Sequence, residues 1–262
     1  MAQKIIDMHT HCVARPDLES EFIWYDKNYG QKLLEHNKAS AINGIEKALV
    51  YIFDPRAVAM PDIKKYNRLS FALLIDFRDR AALSVIRKAK LAGFKGIKIL
   101  PYEQRITPKD YEAILKIAKE IEKQGMFLTI CSTFGGRDPY DYDALALVSF
   151  LLQKNYRAPM ILAHAGGSRI KDAILIADSS PNVYLESSFT VSYWRGSSVI
   201  EDLAWGIKKL PNRFFFGSDY PNVAFSQAKE DALKMLNSNK IPKKLQNDFF
   251  YNNSFNFLKK YE

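Results

Sequence analysis

The sequence predicts a single α/β domain folded as a (β/α)8 TIM barrel, with a helical extension after the last unit. Three observations predict it. Eight short apolar, β-rich runs recur along the chain, helical patterns lie between them, and histidines and carboxylates stand at the ends of several runs. The 262 residues suit one large α/β domain spanning 1–262. A chain of this length buries a sizeable core without disulfides or a structural metal.

The runs, in order, are KIIDMH (4–9), KALVYIF (47–53), SFALLIDF (70–77), KGIKIL (95–100), MFLTIC (126–131), PMILAH (159–164), NVYLES (182–187) and RFFFGS (213–218). Most are nearly continuous apolar stretches, which suits parallel strands covered by helices. The clearest helical pattern is TPKDYEAILKIAKEIEKQG (107–125). Thr107 is placed to cap it, Pro108 to open it, and Asp110 to close a capping box. Ile114, Ile117, Ala118 and Ile121 repeat on one face, and Gly125 ends it. Further helices are expected at 31–43, 80–93, 143–155, 169–180, 199–210 and 227–237. The connection 54–69 is short and broken by Pro55 and Pro61, so its helix is the least marked. Residues 242–262 read as helices packed on the barrel. A doubly wound open sheet would carry a Gly-rich phosphate turn after an early strand, and this chain has none.

The formal net charge is +9, with lysines in scattered pairs such as Lys64-Lys65 and Lys243-Lys244. Without a basic tail or arginine block, these read as solvated helix faces and not as a nucleic-acid surface. Cys12 and Cys131 are far apart and form no CxxC motif, which points to a reducing compartment. The N-terminal stretch lacks the apolar core of a signal peptide, and no run reaches the ~20 apolar residues of a membrane span. The expected location is cytoplasmic, with no membrane partner.

Barrel active sites lie at the C-terminal ends of the strands. The first run ends in Asp7-Met8-His9-Thr10-His11. Strand alternation is expected to point His9 and His11 to one side, with Asp7 beside them. The sixth run ends at His164 and the eighth leads into Asp219. Three of the chain's four histidines thus fall at strand ends, which suits one shared metal site better than coincidence. His36, in the first helical segment, reads as a surface or packing residue.

Taken in order, IIDMHTH, GFKGIKILP, ILAHAGG, FFFGSDYP and FFYNNSFNFL resemble the amidohydrolase superfamily, in particular its amidohydrolase-related branch, over nearly the whole chain. The resemblance implies a divalent metal at the barrel mouth and hydrolysis of amides, lactones and related bonds. The branch also holds decarboxylases of small carboxylated substrates. One departure matters: Cys131 ends the fifth strand, where these proteins usually carry a metal-binding histidine. The ligands are then His9, His11, Cys131 and Asp219, or His9, His11 and Asp219 with His164 closing in. In a third alternative the metal is lost and the protein is a degenerate homologue.

Zinc is the expected ion, since it accepts both imidazole and thiolate. Asp219 would act as general base on a water whose pKa the ion lowers from ~16 to about 7, and His164 would meet the developing oxyanion. Asp7 would support the ligands without joining them. Lys98 would bind a substrate carboxylate or form a structural ion pair. With Arg137 and Arg195 it would make the pocket mouth cationic and favour a small anionic substrate. Trp24, Tyr25, Tyr193 and Trp194 would wall or cover the pocket. Barrels of this branch often pair, so a homodimer is a candidate assembly that the residues themselves do not decide.

Overall fold

The computed structural model describes residues 3–12, 29–53, 65–133 and 140–261. Eight parallel strands follow one another in sequence order around a barrel: β1 (Ile5–Thr10), β2 (Ile45–Ile52), β3 (Leu69–Leu74), β4 (Gly96–Ile99), β5 (Phe127–Cys131), β6 (Met160–Ala163), β7 (Val183–Glu186) and β8 (Phe214–Phe215). The described helices between them are α1 (Tyr29–Ile42), α2 (Ala82–Leu91), α3 (Tyr111–Lys123), α4 (Ala144–Gln153), α5 (Ile170–Ser179), a short α6 (Thr190–Tyr193) and α7 (Ser198–Lys209). After β8 come α8 (Phe225–Ser238), α9 (Lys243–Asn247) and α10 (Asn253–Leu258). The expected helix between β2 and β3 falls mainly on residues outside those described.

The strands form because their side chains serve two apolar layers at once. Along β2, Leu49 and Tyr51 face the barrel interior, while Ala48, Val50 and Ile52 face the helices. The helices bury matching stripes. On α3 these are Ile114, Ile117, Ala118 and Ile121, and Thr107 and Asp110 form the capping box ahead of it. Burying both faces of every strand supplies most of the driving force for this fold.

β8 is much shorter than its apolar run. The barrel nevertheless closes, through Met8 N donating to Phe216 O (2.9 Å) and Asp219 N donating to His9 O (2.8 Å). The edge that β8 leaves is taken up by the C-terminal segment, where Phe216 N donates to Phe249 O (3.1 Å). That segment also seals the floor. The ring of Phe257 lies 5.3 Å from Phe127, 5.1 Å from Phe215 and 4.9 Å from Tyr184 (centroid to centroid), residues at or near the starts of their strands. With the floor plugged, access to the interior is from the opposite end.

Candidate active site

At the top of β1 the pairing register slips between Asp7 and Thr10. A bulge of this kind re-aims side chains. Met8 packs in the interior cluster, yet the next side chain, His9, also faces inward, its ring 4.6 Å from Tyr51. Simple alternation therefore fails here, and Asp7 does not join the imidazoles. Its Oδ1 instead accepts the backbone N–H groups of His9 (3.1 Å) and Ser218 (2.9 Å), tying β1 to the segment after β8.

His9 is wholly buried and gripped from both sides. Its Nδ1 donates to Glu186 Oε2 at 2.7 Å, which leaves the lone pair on Nε2. Lys98 Nζ donates to that Nε2 at 2.8 Å. Glu186 ends β7 and also accepts from Ser188 Oγ (2.7 Å) and from the Ser188 backbone N–H. Only glycine fits beside this carboxylate: a Cβ on Gly217 would overlap Glu186 Oε1 and sit 2.9 Å from His9 Cβ.

His164 and Asp219 follow β6 and β8 in left-handed backbone conformations, each with φ of 64°, as does Phe189 after β7 with φ of 60°. Side chains other than glycine pay for this region, and it recurs at functional sites. Local bonds hold the turns: Thr190 Oγ1 donates to His164 O (2.6 Å), and Gly166 N donates to Ser132 Oγ (2.8 Å). His164 Nδ1 donates to Ser188 O at 3.0 Å. Asp219 Oδ2 accepts from Asn222 Nδ2 at 3.2 Å, which leaves Oδ1 facing His11 Nε2 (3.3 Å) and His9 Nε2 (3.7 Å).

These contacts set the charges. Burial, aided by the Lys98 charge, pushes His9 well below the usual histidine range and His11 down to about 4. Burial opposes charge on His164, but Cys131, Asp219 and Glu186 outweigh it and lift the imidazole to about 9. Burial also works against ionising Cys131 and Asp219. His164 nonetheless draws the Cys131 thiol down, and His11, His164 and Lys98 hold Asp219 below the usual carboxylate range. Burial lifts Glu186 and Asp7 to about 7 and lowers Lys98.

The donor set fits a divalent ion. One atom each from His9, His11 and Asp219 lie within 4.8 Å of one another, as do atoms of His9, His164 and Glu186. Two imidazole nitrogens and a carboxylate suit a zinc-class ion, and the Glu186 bond to the far nitrogen of His9 is the usual support for such a ligand. Cys131 belongs to neither group; its Sγ lies 3.2 Å from Thr133 Oγ1, and it helps to raise His164.

Lys98 lies in the site, 2% exposed. Arg195 lies on the same end of the barrel but its guanidinium pairs with Asp231 of α8 at 3.2 Å, 59% of the side chain remaining exposed. Arg137, Trp24 and Tyr25 lie outside the described residues. Tyr193 stacks on Phe189 (4.8 Å), whose ring meets His164 at 6.0 Å, and Trp194 packs edge-on against Tyr193. His36 is a packing residue, buried against Tyr220 and Phe225. Sequence reasoning missed Glu186, Ser188 and Asn222. For Glu186 a signal existed: an acidic residue ending an apolar run, the same sign that marked His164.

The family profile described as Amidohydrolase matches residues 6–259. Among solved structures, an uncharacterised TIM-barrel protein of Bordetella bronchiseptica superposes with a TM-score of 0.76 at 18% identity, covering 98% of this chain and 99% of that one. A probable 2-pyrone-4,6-dicarboxylic acid hydrolase of Acinetobacter baumannii, with citric acid bound, gives 0.69 at 15% identity, covering 98% and 99%. A 2,6-dihydroxybenzoate decarboxylase from Rhizobium gives 0.64 at 14% identity, covering 99% of each chain. These likenesses speak to the barrel fold. No match was found among curated proteins. The profile spans nearly the whole chain and the site's residues stand where the fold puts its chemistry, so the chain belongs to the amidohydrolase family and is an enzyme of that superfamily.

Proposed function

We propose that this enzyme is a metal-dependent hydrolase that cleaves an amide, lactone or ester bond in a small anionic substrate, with zinc as its ion. The observation that carries this reading is the meeting of His9 Nε2, His11 Nε2 and Asp219 Oδ1, drawn from strands at opposite ends of the sequence. When bound there, the ion would supply Lewis acidity and lower the pKa of water. Asp219, ionised at neutral pH and fixed through its other oxygen by Asn222, takes the proton of the attacking water and returns it to the leaving group. His164, cationic at neutral pH, stabilises the oxyanion. Glu186 keeps the His9 lone pair on Nε2. Cys131 sustains the charge on His164 from beside the ligands.

Two cationic groups, Lys98 and His164, favour a carboxylate-bearing substrate. The Acinetobacter and Rhizobium proteins are likewise named for carboxylated substrates, a pyrone dicarboxylic acid and a dihydroxybenzoate. The second of these favours an alternative reading, decarboxylation on the same fold. Among the described residues no helix is long and apolar enough to cross a membrane. A small-molecule enzyme of the cytoplasm, with no nucleic-acid partner, fits the scattered lysines.

The test is elemental analysis of the purified protein followed by turnover of a panel of lactones, esters and aromatic carboxylates. About one equivalent of zinc, lost with activity in Asp219→Asn and His11→Ala, is expected. Less than about a tenth of an equivalent, with no gain on adding metal, would refute metal dependence. Release of carbon dioxide without hydrolysis would favour the alternative.

A further inference from the structure

His9 Nε2 carries one lone pair, because Nδ1 holds its proton toward Glu186. That lone pair is already taken: Lys98 Nζ donates to it at 2.8 Å. Lys98 reaches it from the middle of β4, fully enclosed, with its Nζ 4.4 Å from the centre of the Tyr51 ring and 5.8 Å from that of Phe53. The same nitrogen is one of the three donor atoms that converge with His11 and Asp219. One lone pair cannot serve an ammonium N–H and a metal ion together. Two cations in contact there would also repel each other strongly in a site from which water is excluded.

We infer that Lys98 and the divalent ion compete for His9 Nε2: Lys98 is the resident cation of the metal-free site and must swing off His9 when the ion binds. This rests on the metal reading above. In the metal-free protein the Lys98 ammonium adds to the compensation that His11 and His164 give the buried Asp219 carboxylate. Its aliphatic stem need not move. Rotation of the last bonds over the Tyr51 face takes Nζ off the imidazole and turns it to the pocket. Loading the ion thereby also creates a free ammonium able to hold a substrate carboxylate. A lysine so placed lowers the apparent affinity for the metal by the strength of the bond it makes, and removing it should raise that affinity.

The experiment measures zinc affinity of the full chain, stripped with chelator, by competition with a chromophoric chelator. Wild type is compared with Lys98→Met and Lys98→Gln, and thermal melts confirm that each is folded. A charge-assisted hydrogen bond of this kind corresponds to about tenfold to a hundredfold in affinity, so the Met variant should bind zinc tighter by about that factor. Equal or weaker binding by both folded variants overturns the inference, weaker binding meaning that Lys98 helps to hold the ion. Binding of zinc by neither wild type nor variant would sink the metal reading and this one together, whereas equal tight binding sinks this one alone. Should the variants fail to fold, crystal structures of stripped and zinc-loaded wild type decide. Lys98 Nζ should lie within hydrogen-bond reach of His9 Nε2 in the first and beyond about 4 Å in the second. Lys98 still bonded to Nε2 with zinc in place would refute the competition.

Discussion

Replacing Glu186 with glutamine keeps the shape of the side chain and changes one atom. Three donors converge on the native carboxylate: His9 Nδ1 at 2.7 Å, Ser188 Oγ at 2.7 Å and the Ser188 backbone N–H. A glutamine supplies one acceptor oxygen, so its amide nitrogen must face either the serine N–H or the imidazole. Facing the serine, it leaves two buried donors opposed, at about 1–3 kcal/mol. Facing His9, it donates to Nδ1 and drives the ring to the other tautomer. Nε2 then carries hydrogen where the lone pair is needed. Either outcome should weaken zinc binding about 10–100-fold, the usual effect of losing a partner behind a ligating histidine. Chelator competition reads the affinity. Thermal unfolding of the stripped protein should fall by only about 2–10 °C. A folded Glu186→Gln protein that binds zinc as tightly as wild type would show that Glu186 does not set the His9 tautomer.

Three other outcomes are expected. Gly217→Ala forces a methyl group into Glu186 and His9 Cβ; it should cost about 1–3 kcal/mol in denaturant unfolding and weaken zinc binding as well. Phe257→Ala opens the plugged floor and should cost about 3–5 kcal/mol, while zinc affinity of the folded protein stays unchanged. His36→Leu tests the buried neutral imidazole, which burial holds near 4 in the fold. A folded pKa below the unfolded value gives stability that is present above pH 6.5 and is lost as pH falls toward 4. The wild type should therefore lose ground to His36→Leu over that window, by up to about 3 kcal/mol. Asp7 and Glu186 act in the opposite sense, since burial raises them, so the difference between the two proteins is what must be read. A pH-independent difference would refute the assignment.

The barrel was legible because its local rules are strong. Continuous apolar runs with helical stripes between them admit few arrangements, and Thr107, Pro108 and Asp110 announce their helix directly. The converging trio was legible from strand ends alone. What stayed hidden depends on contacts between remote residues or on small backbone departures. Nothing in DMHTH says that the register slips after Asp7, yet that slip turns Met8 and His9 to the same interior. The bond between His9 and Glu186 spans 177 residues. Arg195 read as a pocket cation, but its nearest acid, Asp231, is set by how α6 packs on α8. The full apolar run RFFFGS gave no sign that Phe216, while accepting from β1 through its carbonyl, would turn its N–H to the carbonyl of Phe249.

The plugged floor has a bearing on how the chain comes to be folded at all. Ile6 and Met8 are synthesised well ahead of Phe257 and Leu258, which cover them. Until that closing segment emerges the inner apolar surface of the barrel has no lid, and the aromatic side chains of Phe127, Tyr184 and Phe215 at its lower opening stay uncovered. Proteolytic release of α10 would return the folded protein to the same exposed condition.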